Sequence, residues 1–121
     1  MDQNNQYADI ITAVMRKEAN ATFRIQPRLQ IVTACDRESG EFLLVWLGWA
    51  NNQEWRDSVL VHARLLDGLV VVETDNLEEG ITPLLVEAGI PADHIVSGMK
   101  YERLKTQSQP VMPVLAEAMA A

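Results

Sequence analysis

Histidine and carboxylate side chains in the second half of this 121-residue chain are the first candidates for chemistry. As a general base, His62 would need a carboxylate within hydrogen-bonding distance, and Asp75 and Glu78 are the candidates for that partner. A hydrogen-bonded histidine in a structural role is commoner, and this is our interpretation of His62. Asp75 and Glu78 are spaced as a helix cap, three residues apart ahead of an apolar run. We therefore predict no catalytic residue.

The remaining reactive side chains form no recognisable site in the sequence. His94 follows Asp93 in a short helical start, and two histidines with one cysteine do not give the spacing of zinc ligands. Cys35 lies inside a predicted strand, where a buried and unreactive thiol is expected. A nucleotide site would need a glycine-rich loop before a helix, which the sequence does not contain. We therefore expect no metal and no cofactor.

An amphipathic helix is predicted at the start of the chain. Apolar residues recur on one helix face, with Asn4 or Asn5 available as the cap, and the face is formed by Tyr7, Ile10, Ile11, Val14 and Met15. The helix is expected to end near Asn20, because the β-branched residues that follow lead to Pro27, which disfavours helix before it.

Four strands joined by short turns are predicted next, at residues 28–35, 41–49, 55–65 and 69–74. A turn ending in Gly40 joins the first two strands, and Asp67-Gly68 is the strongest hairpin signal in the chain. The second strand is apolar on both faces, which predicts a central or interfacial position. In the third strand, alternation predicts an apolar face that includes Val61 and a wetter face that includes His62.

A helix is predicted over residues 77–88, with Gly89 as its end, or a shorter helix in which Thr82 is the cap and Pro83 the first residue. Pro91 begins a short helical turn, residues 91–96. The predicted fold is therefore α+β, with an N-terminal helix, a four-stranded antiparallel β-meander and a C-terminal helix packed on the sheet. Residues 1–103 form one domain, and 104–121 are a C-terminal extension containing a linker and a short helix.

The net charge of the chain indicates which classes of partner it can bind. The net charge is −7, and positions 65–99 contain seven acidic residues without a Lys or Arg. DNA binding depends on cationic side chains, so direct nucleic-acid binding is not expected. The apolar stretches are too short to span a membrane, and the N-terminus does not have the pattern of a secretory signal. We expect a cytoplasmic protein.

Three tryptophans, Trp46, Trp49 and Trp55, cluster around the two-sided apolar strand. Two helices are too few to cover both faces of so thin a domain. We therefore predict a homo-oligomer, a dimer or larger, formed across the sheet.

The order and spacing of short motifs along residues 1–103 resemble the XisI family of fdxN element excision controlling factors. The matching residues are Met1, Asp2, Tyr7, Ile11, Gly48, Trp49, His62, Asp67, Gly68, Asp75, Glu78, Gly80, Ile81, Gly89, Ile90, Pro91, Asp93, Ile95, Val96 and Arg103. The chain departs from the family pattern at two places. Leu69-Val70-Val71 follows Gly68 where the family has Lys-Ile-Trp, and Leu77 precedes Glu78 where the family has Thr.

This resemblance implies a cyanobacterial protein linked to a programmed DNA rearrangement in heterocyst formation, alongside a recombinase and a companion protein, XisH. It implies a regulatory, non-enzymatic controlling factor that acts through contact with an XisH-like partner. The candidate functional residues are then Trp49, His62, Asp67, Gly68, Asp75, Glu78 and Arg103. The alternatives are a small hydrolase or nuclease that uses His62 with Asp75 or Glu78, and a sensor of a small ligand.

Overall fold

The computed structural model describes residues 3–25, 28–51 and 53–108. The chain forms α1 (Gln3–Ile25), β1 (Leu29–Asp36), β2 (Glu41–Ala50), β3 (Glu54–Leu66), β4 (Leu69–Asp75), α2 (Thr82–Glu87), a 3-10 turn (Ala92–His94), β5 (Ile95–Ser97) and α3 (Gly98–Ser108). The α+β class is confirmed.

The sheet has five strands in the order β1-β2-β3-β4-β5. The first four strands form the predicted antiparallel meander, but β5 pairs with β4 in parallel. A purely antiparallel, four-stranded sheet was therefore the wrong prediction. A parallel neighbour needs a long crossover, which residues 76–94 provide, and a three-residue strand gives too short a pattern to be recognised.

Of the apolar stripe predicted on the first helix, Tyr7, Ile11 and Met15 are buried and Ile10 and Val14 are partly buried, whereas the buried Ala8 was not predicted. α1 covers one face of the sheet through its buried residues. They pack on Phe42, Leu44, Val61, Ala63 and Val70 from the strands. The helix already includes Asn4 and Asn5, and it continues to Ile25, beyond the predicted end near Asn20. Pro27 restricts mainly the residue before it, so the preceding positions remain free to be helical.

The pairing of β2 with β3 shifts by one residue between Leu44 and Val45. Leu44 lies opposite Val61, whereas Val45 lies opposite Val59, so Leu60 is the extra residue of a β-bulge. The alternation predicted through the whole of the third strand is therefore wrong beyond Leu60. The bulge puts His62 on the same face as Val59, while Leu60 itself is buried in the core.

α2 covers the same face of the sheet as α1, through the buried Leu85. The shorter of the two predicted helices is the one formed, but Ile81 occupies the N-cap position, not Thr82. Gly80 has a φ of +84°, a left-handed conformation that a helix interior cannot contain, so the helix begins after it.

α3 covers part of the second face. Its Tyr101 packs on Val71 of β4 and Val96 of β5, with Leu66 and Leu69 at the edge. The predicted domain end at Arg103 falls inside this helix, so residues 104–108 of the predicted extension are helical. The rest of the predicted extension, 109–121, lies outside the described residues.

Candidate functional site

The side of β1, β2 and β3 that faces away from α1 is not covered by the described part of the chain. Strand register arranges its side chains in five cross-strand rows. From one end of the sheet to the other, the rows are Arg28–Trp49–Trp55, Gln30–Leu47–Asp57, Val32–Val45–Val59, Ala34–Leu43–His62 and Asp36–Glu41–Arg64. We call this surface the open face. It contains Trp49 and His62, two of the predicted functional residues.

One end of the open face is a charged network centred on Glu41. The Oε1 atom of Glu41 lies 2.7 Å from Nε2 of His62, and its Oε2 atom accepts a hydrogen bond of 2.9 Å from Nε of Arg64. Arg64 also contacts Glu73 of β4, with Nη1 3.5 Å from Oε2. All four side chains are about one-third exposed. The network therefore ties together the ends of three strands while remaining accessible.

Electrostatics favour the ionised form of this network. Partial burial opposes ionisation of Glu41, but hydrogen bonds from His62 and Arg64 outweigh it and hold the pKa of the Glu41 carboxyl below its ordinary value. The hydrogen bond to Glu41 likewise raises the pKa of Arg64. Glu41 is therefore a stable anion at neutral pH, and it orients the His62 imidazole.

The opposite end of the open face is aromatic. Trp49 and Trp55 lie edge to face, with ring centroids 5.5 Å apart, and Arg28 lies 6.0 Å from the Trp49 ring centroid. Trp55 is 56% exposed and Trp49 is 39% exposed. The two rings border an open recess of about 570 Å³. Of the predicted tryptophan cluster, Trp46 is absent from this surface because it points toward α1, where Nε1 donates to Oγ of Ser58.

Gly48 sets the position of Trp49. Its φ is +128°, and a Cβ atom at this position would lie 2.3 Å from the carbonyl oxygen of Arg28. That same oxygen accepts a hydrogen bond from the Trp49 N–H, at 3.1 Å. The Gly-Trp pair is therefore required by the close approach of the Arg28 backbone at the start of β1.

The Asp67-Gly68 hairpin forms as predicted, with positive φ angles of 55° and 78°. The Tyr101 hydroxyl donates to Oδ2 of Asp67, at 2.5 Å, and this bond raises the pKa of the Tyr101 phenol. On its other side, the Gly68 carbonyl accepts a bond from Nε2 of Gln3. The hairpin therefore anchors both α3 and the first turn of α1.

Asp75 closes the loop that follows β4. Its Oδ1 accepts from the Leu77 N–H, and its Oδ2 accepts from the Ile81 N–H at 2.8 Å. The predicted capping role is thus corrected: Asp75 satisfies loop amides ahead of α2, and Glu78 is exposed without a hydrogen bond or ion pair to the described residues.

His62 does not meet Asp75 or Glu78. Asp75 pairs with Val61, whose side chain lies in the core on the α1 side of the sheet, whereas His62 points to the open face. The structure therefore does not bring His62 together with Asp75 or Glu78, as the hypothesis of a catalytic pair requires. The carboxylate that His62 does contact, Glu41, was missed from the sequence because a regular hairpin without the bulge would place Glu41 opposite Ala63.

The remaining candidates lie apart from the network. Arg103 is exposed on α3, beside Met99 and Thr106. Cys35 is exposed near the end of the edge strand β1, so the expectation of a buried thiol was wrong. His94 contacts the Tyr7 hydroxyl through Nδ1, a pairing between the 3-10 turn and α1 that the sequence did not reveal.

Over the described ranges, His, Cys, Asp and Glu side chains form no group of three that could hold a metal ion. The helices in the same ranges include none that is both long and apolar enough to cross a membrane.

A second surface is defined by charge. Of the seven acidic residues at positions 65–99, Asp67, Glu73 and Asp75 are engaged in the contacts above. The other four are exposed in the crossover between β4 and β5, and their side chains have no hydrogen bond or ion pair to the rest of the described structure: Glu78, Glu79, Glu87 and Asp93. We call these four residues the acidic lobe. Glu87 lies on α2, which covers the sheet face opposite the open face.

Comparison with protein-family models gives a match over residues 1–109 to the model described as XisI protein. The chain belongs to the XisI family. The resemblance noted from the sequence motifs is thereby confirmed, and the match extends past Arg103 to the end of α3. Comparison with curated proteins gave no match.

Two solved structures support the same fold. A XisI-like protein from Anabaena variabilis ATCC 29413 superposes with a TM-score of 0.65 at 17% identity, covering 77% of this chain and 84% of that chain. The fdxN element excision controlling factor XisI from the same organism gives a TM-score of 0.62 at 18% identity, covering 78% of this chain and 90% of that chain. At such identities the likeness concerns the fold.

Proposed function

We propose that the chain is a non-enzymatic controlling factor that acts by binding an XisH-like protein in the excision of a DNA element. Membership of the XisI family supports the general class, and the name of the Anabaena variabilis neighbour supplies the process. Heterocyst development in a cyanobacterium is the setting proposed for it, in the cytoplasm, where the DNA lies.

The observation that carries the proposal is the distribution of charge. With a net charge of −7 and four exposed carboxylates in the acidic lobe, the protein repels the phosphate backbone of DNA. A protein that handles DNA presents a basic surface, which attracts an acidic one and increases the association rate. Influence on DNA processing is therefore expected through a protein partner.

On the open face, the carboxylate that contacts His62 is Glu41 and not Asp75 or Glu78, the residues of the hydrolase alternative. Nε2 of His62 lies 2.7 Å from Oε1 of Glu41, and Arg64 donates a hydrogen bond to the other oxygen of the same carboxylate. A carboxylate bound by arginine in this way holds two strands together. We assign the network to the structure of the sheet.

Co-purification of the chain with an XisH-like protein, with and without duplex DNA, tests the proposal. We expect a complex without DNA, and His62→Ala should leave its capture intact. Glu78→Gln with Glu79→Gln in the acidic lobe should weaken it roughly 10-fold at low salt, with the difference reduced by added salt. The matched control, Glu38→Gln with Glu54→Gln, removes the same charge elsewhere and should change affinity little.

Two results would contradict the proposal. One is a complex that forms only when DNA is present, and the other is tight, salt-sensitive binding of naked duplex DNA by the isolated chain. Catalytic turnover that is abolished by His62→Ala would favour the alternative of a small hydrolase.

A further inference from the structure

The three central rows of the open face are poor in charge compared with its two outer rows, which carry Arg28, Asp36, Glu41 and Arg64. The central row of this face consists of Val32, Val45 and Val59, and the two outer positions of that row are more than one-third exposed. The three central rows together carry one formal charge, on Asp57, together with the titratable His62. α1 and α2 cover the other face, and α3 packs on β4 and β5. An apolar sheet face of this size normally packs against another surface.

We propose that a second copy of this chain covers the open face, forming a two-fold symmetric dimer in which the two sheets pack face to face. The two-fold axis passes between the sheets along the central valine row, at right angles to the strands. Each strand then lies over the same strand of the partner, running the opposite way. Val45 faces the partner's Val45, and Val59 faces the partner's Val59.

This orientation makes the face complementary to itself. Rotation about the axis exchanges the two rows on either side of the valines, so Asp57 faces the partner's His62. It also exchanges the outermost rows, so Trp55 faces the partner's Arg64 and Arg28 faces the partner's Asp36. A carboxylate meets an imidazole, an indole meets a guanidinium, and two ions of opposite sign meet at the rim.

The other two-fold arrangement, with the axis parallel to the strands, keeps an ion pair at the rim, where Asp36 would face the partner's Arg64. It also places Glu41, which faces the partner's Trp49 in the first arrangement, opposite the partner's Glu41, so that two carboxylates meet. There, Asp57 would face the partner's Gln30 and His62 would face the partner's Ala34. A carboxylate buried opposite a neutral amide is costly unless further hydrogen bonds satisfy it. Complementarity therefore selects the first arrangement.

The size of the open face agrees with a dimer interface. Five rows span about 27 Å along the strands, and three strands span about 14 Å across them. The flat projection of the open face is roughly 400 Å² per copy. The tryptophan and valine side chains protrude from it, so the accessible area is larger than this projection. Two copies then bury about 1,000 Å², the lower bound for a specific interface.

Chemical crosslinking tests the geometry. Packed sheets lie about 10 Å apart, beyond the reach of a disulfide, so a short bis-maleimide is the suitable reagent. In a Cys35→Ser background, Val45→Cys should crosslink to a species of twice 13.5 kDa. Val86→Cys on α2, which is more exposed than Val45, is the control and should stay uncrosslinked. Equal crosslinking of both variants would overturn the proposal.

Crosslinking between two different cysteine variants tests how the two copies are oriented relative to each other. Asp57→Cys mixed with His62→Cys should crosslink as a heterodimer, whereas Asp57→Cys mixed with Gln30→Cys should not. The reverse result would overturn the antiparallel arrangement.

Light scattering after size-exclusion chromatography tests the assembly itself. The unmodified chain should have twice the 13.5 kDa monomer mass, and a monomer at micromolar concentration would overturn the proposal. Val59→Glu places two carboxylates face to face and should raise the dissociation constant at least about 100-fold. Val86→Glu, at 40% exposure against 38% for Val59, should leave the dimer intact. Circular dichroism checks that both variants fold. These outcomes do not depend on whether an XisH-like protein is bound.

Discussion

Replacement of Gly48 by alanine should be far more destabilising than the same replacement at Gly68, although both glycines have positive φ angles of 128° and 78°. At Gly68 the nearest heavy atom to a new Cβ is the Nε2 atom of Gln3, 3.9 Å away. At Gly48 it is the backbone oxygen of Arg28, at 2.3 Å. The comparison separates conformational strain, which both sites share, from the steric clash that only Gly48 has.

The magnitudes follow from these contacts. A left-handed conformation at a non-glycine residue costs about 1 to 2 kcal/mol, and this is the expected loss for Gly68→Ala. Gly48→Ala carries a similar or larger conformational cost. In addition, the Arg28 backbone must move by most of an ångström, which breaks its hydrogen bond with the Trp49 N–H at a further cost of about 1 kcal/mol. The expected total for Gly48→Ala is therefore about 2 to 4 kcal/mol.

Urea denaturation followed by tryptophan fluorescence measures both values at one protein concentration. The slopes should be unchanged, so that the midpoints report stability directly. Equal losses of stability for the two variants would show that the Arg28 backbone does not constrain Gly48, and the steric explanation of the Gly-Trp pair would be refuted.

Other predictions concern the polar contacts. Glu41→Gln should lower the free energy of unfolding by about 1 to 2 kcal/mol at pH 7, since the charged partner of His62 and Arg64 is lost. Because the folded-state pKa of Glu41 is lowered, its contribution is present above pH 4.5, the ordinary value, and disappears as pH falls through the folded value. Denaturation curves of both proteins should therefore converge in acid. Asp75→Ala should accelerate hydrogen exchange at the Ile81 amide, and unchanged exchange would exclude the loop-closing role. In a Tyr7→Phe background, absorbance titration should show Tyr101 ionising above pH 10.0, and Asp67→Asn should lower that pKa.

Much of the fold follows from local patterns. The stripe on α1 predicts which residues are buried, and turn chemistry at Asp67-Gly68 predicts the register of β3 with β4 near the hairpin. These features depend on neighbours in sequence. β5 and α3 depend on a parallel pairing across a long crossover, which no local pattern encodes.

The candidate site was less predictable for the same reason. His62 and Trp49 were identified by residue type and by the family resemblance, but their partners Glu41 and Trp55 come from the register of a different strand. The sequence contains no signal for the bulge at Leu60 that decides this register. The exposure of Cys35 likewise reflects its place on an edge strand, which requires the strand order to be known.

The extra residue at Leu60 has a consequence for how relatives of this chain should be compared. Side chains in a strand alternate, so an odd number of inserted residues exchanges inside and outside for everything on one side of the insertion. An alignment that omits a gap at this position would match the outward-pointing His62 with core positions such as Val61 or Ala63. Shortening β3 by this one residue would turn the charged end of the sheet toward α1. Relatives of this chain are therefore expected to differ at this hairpin by substitutions more often than by the insertion or deletion of one residue.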